Sequence, residues 1–107
     1  QFYELRETVT GVVTTLNSLK EQQRWDEVAA FREHNKGVFQ VRGQINAINR
    51  YMTNWRRRRD RLLRRTDISP MVKSDMLREL ELDRDKRLAI MPALRERADV
   101  PAISLLN

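Results

Sequence analysis

Apolar residues recur at helical intervals from the start of the chain. Phe2, Leu5, Val9, Val12, Leu16 and Leu19 follow one another at steps of 3, 4, 3, 4 and 3, the a/d pattern of a heptad seam. Local propensity pulls the other way, because Thr8 to Thr15 is a β-branched run broken only by Gly11. The adjacent pair Val12-Val13 breaks the period of two that a strand needs. The pattern therefore predicts a helix that depends on its packed seam.

A polar joint follows at Lys20 to Arg24, then Asp26 and Glu27, which favour a helix N-terminus. Trp25, Val28, Ala29 and Phe31 supply apolar surface for a short second helix, and Asn35-Lys36-Gly37 suits its stop, with Gly37 as a left-handed cap. The seam resumes at Val38, Val41, Ile45, Ile48, Met52 and Trp55, is interrupted by Arg59, and ends at Leu62. A helix from about Val38 to Arg65 would be roughly 40 Å long, so an elongated molecule is expected. Ser69 then suits an N-cap and Pro70 a first helical turn, although Val72 stands where a capping box needs Glu. The helix that starts there should run to about Ile90, with Met76, Leu77, Leu80, Leu88 and Met91 on its apolar side, and Pro92 should end or kink it. Leu94, Val100, Ile103, Leu105 and Leu106 make a tail able to dock, and Pro101 argues against one helix through it.

The expected fold is all-α. Residues 1–36 form a shorter N-terminal helical hairpin, residues 37–91 a hairpin of two long antiparallel helices, and residues 92–107 a docking tail. No internal repeat or low-complexity linker is present.

Charge adds what periodicity does not show. Seven of the ten residues from Arg56 to Arg65 are arginine, against the single Asp60, a net +6 that equals the formal net charge of the chain. The other 97 residues hold 14 basic and 14 acidic groups. Four consecutive helical residues span about 300°, so Arg56 to Arg59 cannot share a face. Arg57, Arg61, Arg64 and Arg65 can form one exposed stripe, whereas Arg59 falls on the seam and must find a carboxylate or mark where the seam opens to water. Beside this run the next helix offers Asp75 and Glu79, and two carboxylates cannot balance seven arginines. The excess favours a polyanion such as the DNA phosphate backbone over a largely intramolecular or partner-protein role. No aromatic residue lies inside the run to stack on bases, which disfavours base readout.

Other chemistry has little to stand on. The 107 residues are one domain's worth of chain. Without Cys there is neither a disulfide nor a thiolate site. His34, the single histidine, lacks the spacing of a metal or triad motif, and no Gly-rich phosphate loop occurs. Asp75, Glu79, Glu81, Asp83 and Asp85 alternate with Lys73, Arg78, Arg84, Lys86 and Arg87, the pattern of a solvated ion-pair face. Met52, Met76 and Met91 read as core filler. No enzymatic activity, cofactor or metal is expected. No apolar run approaches the roughly 18 residues of a membrane span, and the narrow seam suits a partner helix better than a bilayer surface. The chain opens at Gln1 without an initiator Met, as a processed product or a piece of a longer chain would.

Three stretches carry a resemblance. They are Phe2-Tyr3-Glu4-Leu5-Arg6-Glu7-Thr8-Val9, then Val28-Ala29-Ala30-Phe31-Arg32-Glu33-His34-Asn35, then Ile68-Ser69-Pro70-Met71-Val72-Lys73 followed by Leu77, Leu80, Arg84, Leu88 and Ala89. This order resembles the helical region near the C-terminus of very large internal virion proteins of tailed phages, chiefly podoviruses. There an aromatic helix precedes a short helix, a long helix, and a Ser-Pro-x-x-Lys helix start. The sequence departs from that pattern at Gln22-Gln23-Arg24, where a Gly-Asp turn is usual, and in the density of its arginines. The resemblance implies a structural segment of an internal core or ejection protein. Such proteins are packaged beside the portal with the genome and ejected into the host envelope at infection. Portal or core subunits would be the partners of such a segment, in a homo- or hetero-oligomer assembled through the two heptad seams. A peptidoglycan-cleaving domain, where such a parent has one, would lie elsewhere. The alternative is a sequence-independent nucleic-acid-binding hairpin unrelated to phage.

Overall fold

A computed structural model describes residues 2–98. Every element among them is helical: α1 (Phe2–Glu21), α2 (Trp25–His34), α3 (Lys36–Arg64), α4 (Pro70–Leu88) and α5 (Met91–Arg97). The described residues divide into two compact units, one formed by residues 2–45 and 91–98 and the other by residues 46–90. This boundary differs from the expected 1–36, 37–91 and 92–107, because the first residues of α3 and all of α5 belong with α1 and α2. The tail residues Val100, Pro101, Ile103, Leu105 and Leu106 lie outside the described residues.

In the first unit, α1 forms despite its β-branched run. Phe2, Leu5, Val9 and Leu16 are buried, Val12 and Leu19 are half-buried, and Thr8 satisfies its hydroxyl by donating to the Glu4 carbonyl at 3.1 Å. Burial of the seam outweighs the weak propensity of a few tenths of a kcal/mol per residue. The helix closes in a Schellman motif. Gln23 is left-handed (φ 57) and donates its N–H to the Lys20 carbonyl at 3.0 Å, while Arg24 donates to Leu19 at 3.1 Å. Helix α2 buries only Val28; Trp25, expected in its apolar surface, is 60% exposed, Ala29 is exposed and Phe31 half-buried.

Gly37 is no helix stop. Helix α2 ends at Asn35, whose side-chain amide and backbone N–H both donate to the Phe31 carbonyl at 3.0 Å, and Gly37 lies inside α3 with ordinary helical geometry. What the position needs is the missing side chain, because a Cβ there would lie 2.2 Å from the Arg97 carbonyl oxygen. Pro92 is likewise no terminator. Helix α4 stops at Leu88, and Pro92 sits in the first turn of α5, where its missing N–H costs nothing. Met91, Leu94 and Ala98 are buried, and the buried Arg95 guanidinium donates to Glu4 at 3.4 Å.

In the second unit, Ser69 caps α4 as its sequence suggests, accepting from the Val72 N–H at 3.2 Å with Pro70 next to it. The α3 seam is buried throughout: Val38, Val41 and Ile45 in the first unit, and Ile48, Met52, Trp55 and Leu62 in the second. These side chains are covered within the chain itself, so the seam expected to assemble with other chains is not presented at the surface. Trp55 donates its indole N–H to the Leu80 carbonyl at 2.7 Å, Tyr51 donates to Asp83, and Lys73 reaches the carbonyls of Leu63 and Arg65 at 3.3 and 2.6 Å. The α4 surface expected to be apolar is thinner than its sequence suggests. No α4 residue is buried; Leu77, Leu80 and Leu88 are half-buried, and Met76 is exposed.

Candidate polyanion-binding site

The arginine run occupies the last two and a half turns of α3 and the residue beyond. Because Trp55 and Leu62 point inward, helical geometry turns Arg57, Arg61 and Arg64 outward, and all three are exposed. Arg58 is exposed on one flank, and Arg56 is half-buried on the other. Arg59 occupies the seam as its spacing requires and resolves the conflict in both of the expected ways. It is only half-buried, it donates from Nε and Nη2 to Asp60 Oδ1 at 3.3 Å, and its guanidinium lies 5.4 Å from the centre of the Trp55 ring.

Arg65 does not continue the stripe. The helix ends at Arg64, and Arg65 turns to Asp67 in a bidentate pair, Nε to Oδ1 at 2.9 Å and Nη2 to Oδ2 at 2.7 Å. The hydrogen bonds from Arg65 hold the Asp67 carboxyl down at about 2, and the same pairing raises Arg65. The neutralising carboxylates are thus Asp60 and Asp67, inside and just after the run. Asp75 and Glu79, which α4 was expected to offer, form no ion pair with it among the described residues. Arg57, Arg58, Arg61 and Arg64 likewise form no ion pair among the described residues.

Two further groups shape the site. Lys73 places its ammonium against the Leu63 carbonyl in the last turn of α3, where the helix dipole is negative, and against the Arg65 carbonyl just beyond, and so fixes the corner after the run. Tyr51 is pushed up to about 12 by burial and by its hydrogen bond to Asp83, so it stays a neutral donor. Lys73 could have been found from the Ser-Pro-x-x-Lys start, and Asp67 from its place two residues after Arg65. Arg58 lies about a third of a turn from Arg57, outside the stripe that the spacing predicts.

No family model, curated protein or solved structure matches the chain. Its own side chains therefore carry the functional argument. Among the described residues no group of three or more His, Asp or Glu side chains is placed to hold a metal ion, and no helix is long and apolar enough to cross a membrane. His34 is exposed at the last position of α2. The α4 ion-pair face includes one pair between neighbours, Arg84 to Asp85 at 3.4 Å, and Arg84 also lies 4.9 Å from the centre of the Trp55 ring.

Proposed function

We propose that this chain is a non-enzymatic helical module that binds the phosphate backbone of nucleic acid without reading sequence. The observation that carries this reading is the outward face of Arg57, Arg61 and Arg64, exposed and without carboxylate partners among the described residues. Cations in the last turn of a helix stabilise it by about 0.3–1 kcal/mol each, an effect that fades within that turn. The dipole accounts for Arg61 and Arg64 in that way, but it does not reach Arg57 and Arg58, two turns earlier. Arginine forks on phosphates supply affinity and no sequence information. In this reading α3 and α4 form an antiparallel hairpin, supported by the pairings Tyr51–Asp83, Trp55–Leu80 and Leu63–Lys73, which climb one helix as they descend the other.

Fluorescence anisotropy with unrelated duplexes at two salt concentrations tests it. Three neutralised phosphates give a log–log salt slope of about −2.7. Affinity should be lost when Arg57, Arg61 and Arg64 are all changed to Ala. Salt-independent binding, or binding that survives the triple change, defeats the reading.

The resemblance supports a setting for this module as a segment of a phage internal core or ejection protein, carried beside the portal and ejected with the genome. The observation that favours it is that the Ser-Pro-x-x-Lys start works as a corner, with Ser69 capping α4 and Lys73 holding the end of α3. An antibody to the chain should detect it in purified virions and, after ejection, in host-envelope fractions. Its absence from virions removes the phage setting and leaves the polyanion reading intact.

A further inference from the structure

Helix α4 is nineteen residues long and buries no side chain, and Val72 and Met76 are exposed along one flank of it. Most helices in folded proteins draw their stability from packing an apolar face, so this flank is underused by the chain itself. It borders a groove of about 550 Å³ within residues 46–90. Leu62, Met76 and Leu80 give the groove an apolar floor, Arg58, Arg61 and Arg65 stand on the side of α3 and its end, and Glu79 and Asp83 stand on the α4 wall.

We propose that a second copy of this chain seats in that groove, the two copies being related by a two-fold axis. Charge order selects the occupant. A phosphate backbone or an acidic peptide that approached Arg58 would also meet Glu79 and Asp83, and a basic peptide drawn to those carboxylates would meet Arg58. A partner must carry both signs in the reverse order across an apolar centre. A copy related by a two-fold axis along the groove does so, because that rotation sets each α3 wall against the partner's α4 wall, whereas an axis across the groove would oppose like charges. Arg58 of each copy then faces Glu79 and Asp83 of the other, and the Met76 side chains meet near the axis. Two α3–α4 pairs joined in this way give four packed helices, which supplies α4 with the core it lacks. The groove shares Arg61 with the polyanion reading, but Arg57 and Arg64 lie outside it, and the substitutions that test the dimer leave Arg57, Arg61 and Arg64 in place.

Sedimentation equilibrium of the nuclease-treated full chain tests it. The expected result is twice the 12.8 kDa chain mass. Met76→Asp should give a monomer of unchanged helix content, because Met76 is already at the surface of the single chain. Arg58→Glu and Glu79→Arg should each weaken the dimer at least about tenfold, and the two together should restore it to within about threefold, because the walls exchange sign in both copies. A wild-type chain that stays monomeric up to about 100 μM assigns the groove to a different partner and overturns the proposal. So does a dimer that survives Met76→Asp, or a combined variant that associates no better than the single ones. DNA binding measured on Met76→Asp, in which every arginine is retained, reports on Arg57, Arg61 and Arg64 separately.

Discussion

Gly37 and Arg97 stand in backbone contact, so close that a Cβ at position 37 would lie 2.2 Å from the Arg97 carbonyl oxygen and 3.2 Å from backbone atoms of Ala98. The obstacle is backbone, which cannot swing aside as a side-chain tip can. Gly37→Ala should therefore cost about 1–3 kcal/mol, the range of overpacked cores. Gly11 and Gly43 lie in helices with open space around their Cβ positions. Alanine at either should stabilise the chain by about 0.5–1 kcal/mol. Urea unfolding of the three variants checks both signs at once.

Gln23 holds a left-handed conformation without being glycine. Its Cβ costs roughly 1 kcal/mol there, and the motif it closes is the one glycine favours. Gln23→Gly should raise the thermal midpoint while leaving the Gln23–Lys20 and Arg24–Leu19 hydrogen bonds in place. A lowered midpoint would show that the Gln23 side chain contributes more than its backbone strain costs.

The Arg65–Asp67 pair gives a pH signature. Asp67 is held at about 2 in the folded chain against an ordinary 3.8, so its contribution to stability is complete above about 4 and is lost as pH falls through the folded value. Both partners are solvent-exposed, so the effect on overall stability is small and best read at the residue. A carboxyl NMR titration should find Asp67 with a midpoint near 2, returning to the ordinary range in Arg65→Ala. Asp67→Asn also releases Arg65, and should tighten nonspecific DNA binding and steepen its salt dependence.

Trp55 is buried and makes its one N–H bond to a carbonyl in the middle of α4. Trp55→Phe keeps an aromatic ring but removes that donor and part of the packing. It should destabilise residues 46–90 by about 1–3 kcal/mol. Hydrogen exchange should register the loss in α4 more strongly than in α1 or α2. Equal loss across all the helices would mean that the two units unfold as one.

Helical periodicity made most of the core legible. Leu5, Val41, Ile45 and Ile48 are among the least exposed residues, and each was named by its spacing alone. Ser69 and Pro70 were legible because capping is local chemistry. Gly37 and Pro92 were misread because their roles depend on where α5 packs, and no local pattern encodes that. Arg65 was assigned to the stripe by extending helical geometry one residue too far. Its partner Asp67 lies across a turn, outside the i+3 and i+4 neighbours that a helical reading searches. Met91, expected on the apolar side of α4, lies in α5 instead, and spacing alone does not reveal that Met76 and Val72 stay exposed.

The two tryptophans differ sharply in surroundings. Trp55 is 2% exposed and hydrogen-bonded, with its ring centre 5.4 Å and 4.9 Å from the Arg59 and Arg84 guanidinium groups, whereas Trp25 is 60% exposed. The chain thus has an intrinsic optical probe. In a Trp25→Phe background the whole indole emission comes from the second unit, and its red shift follows the opening of that unit without an added label.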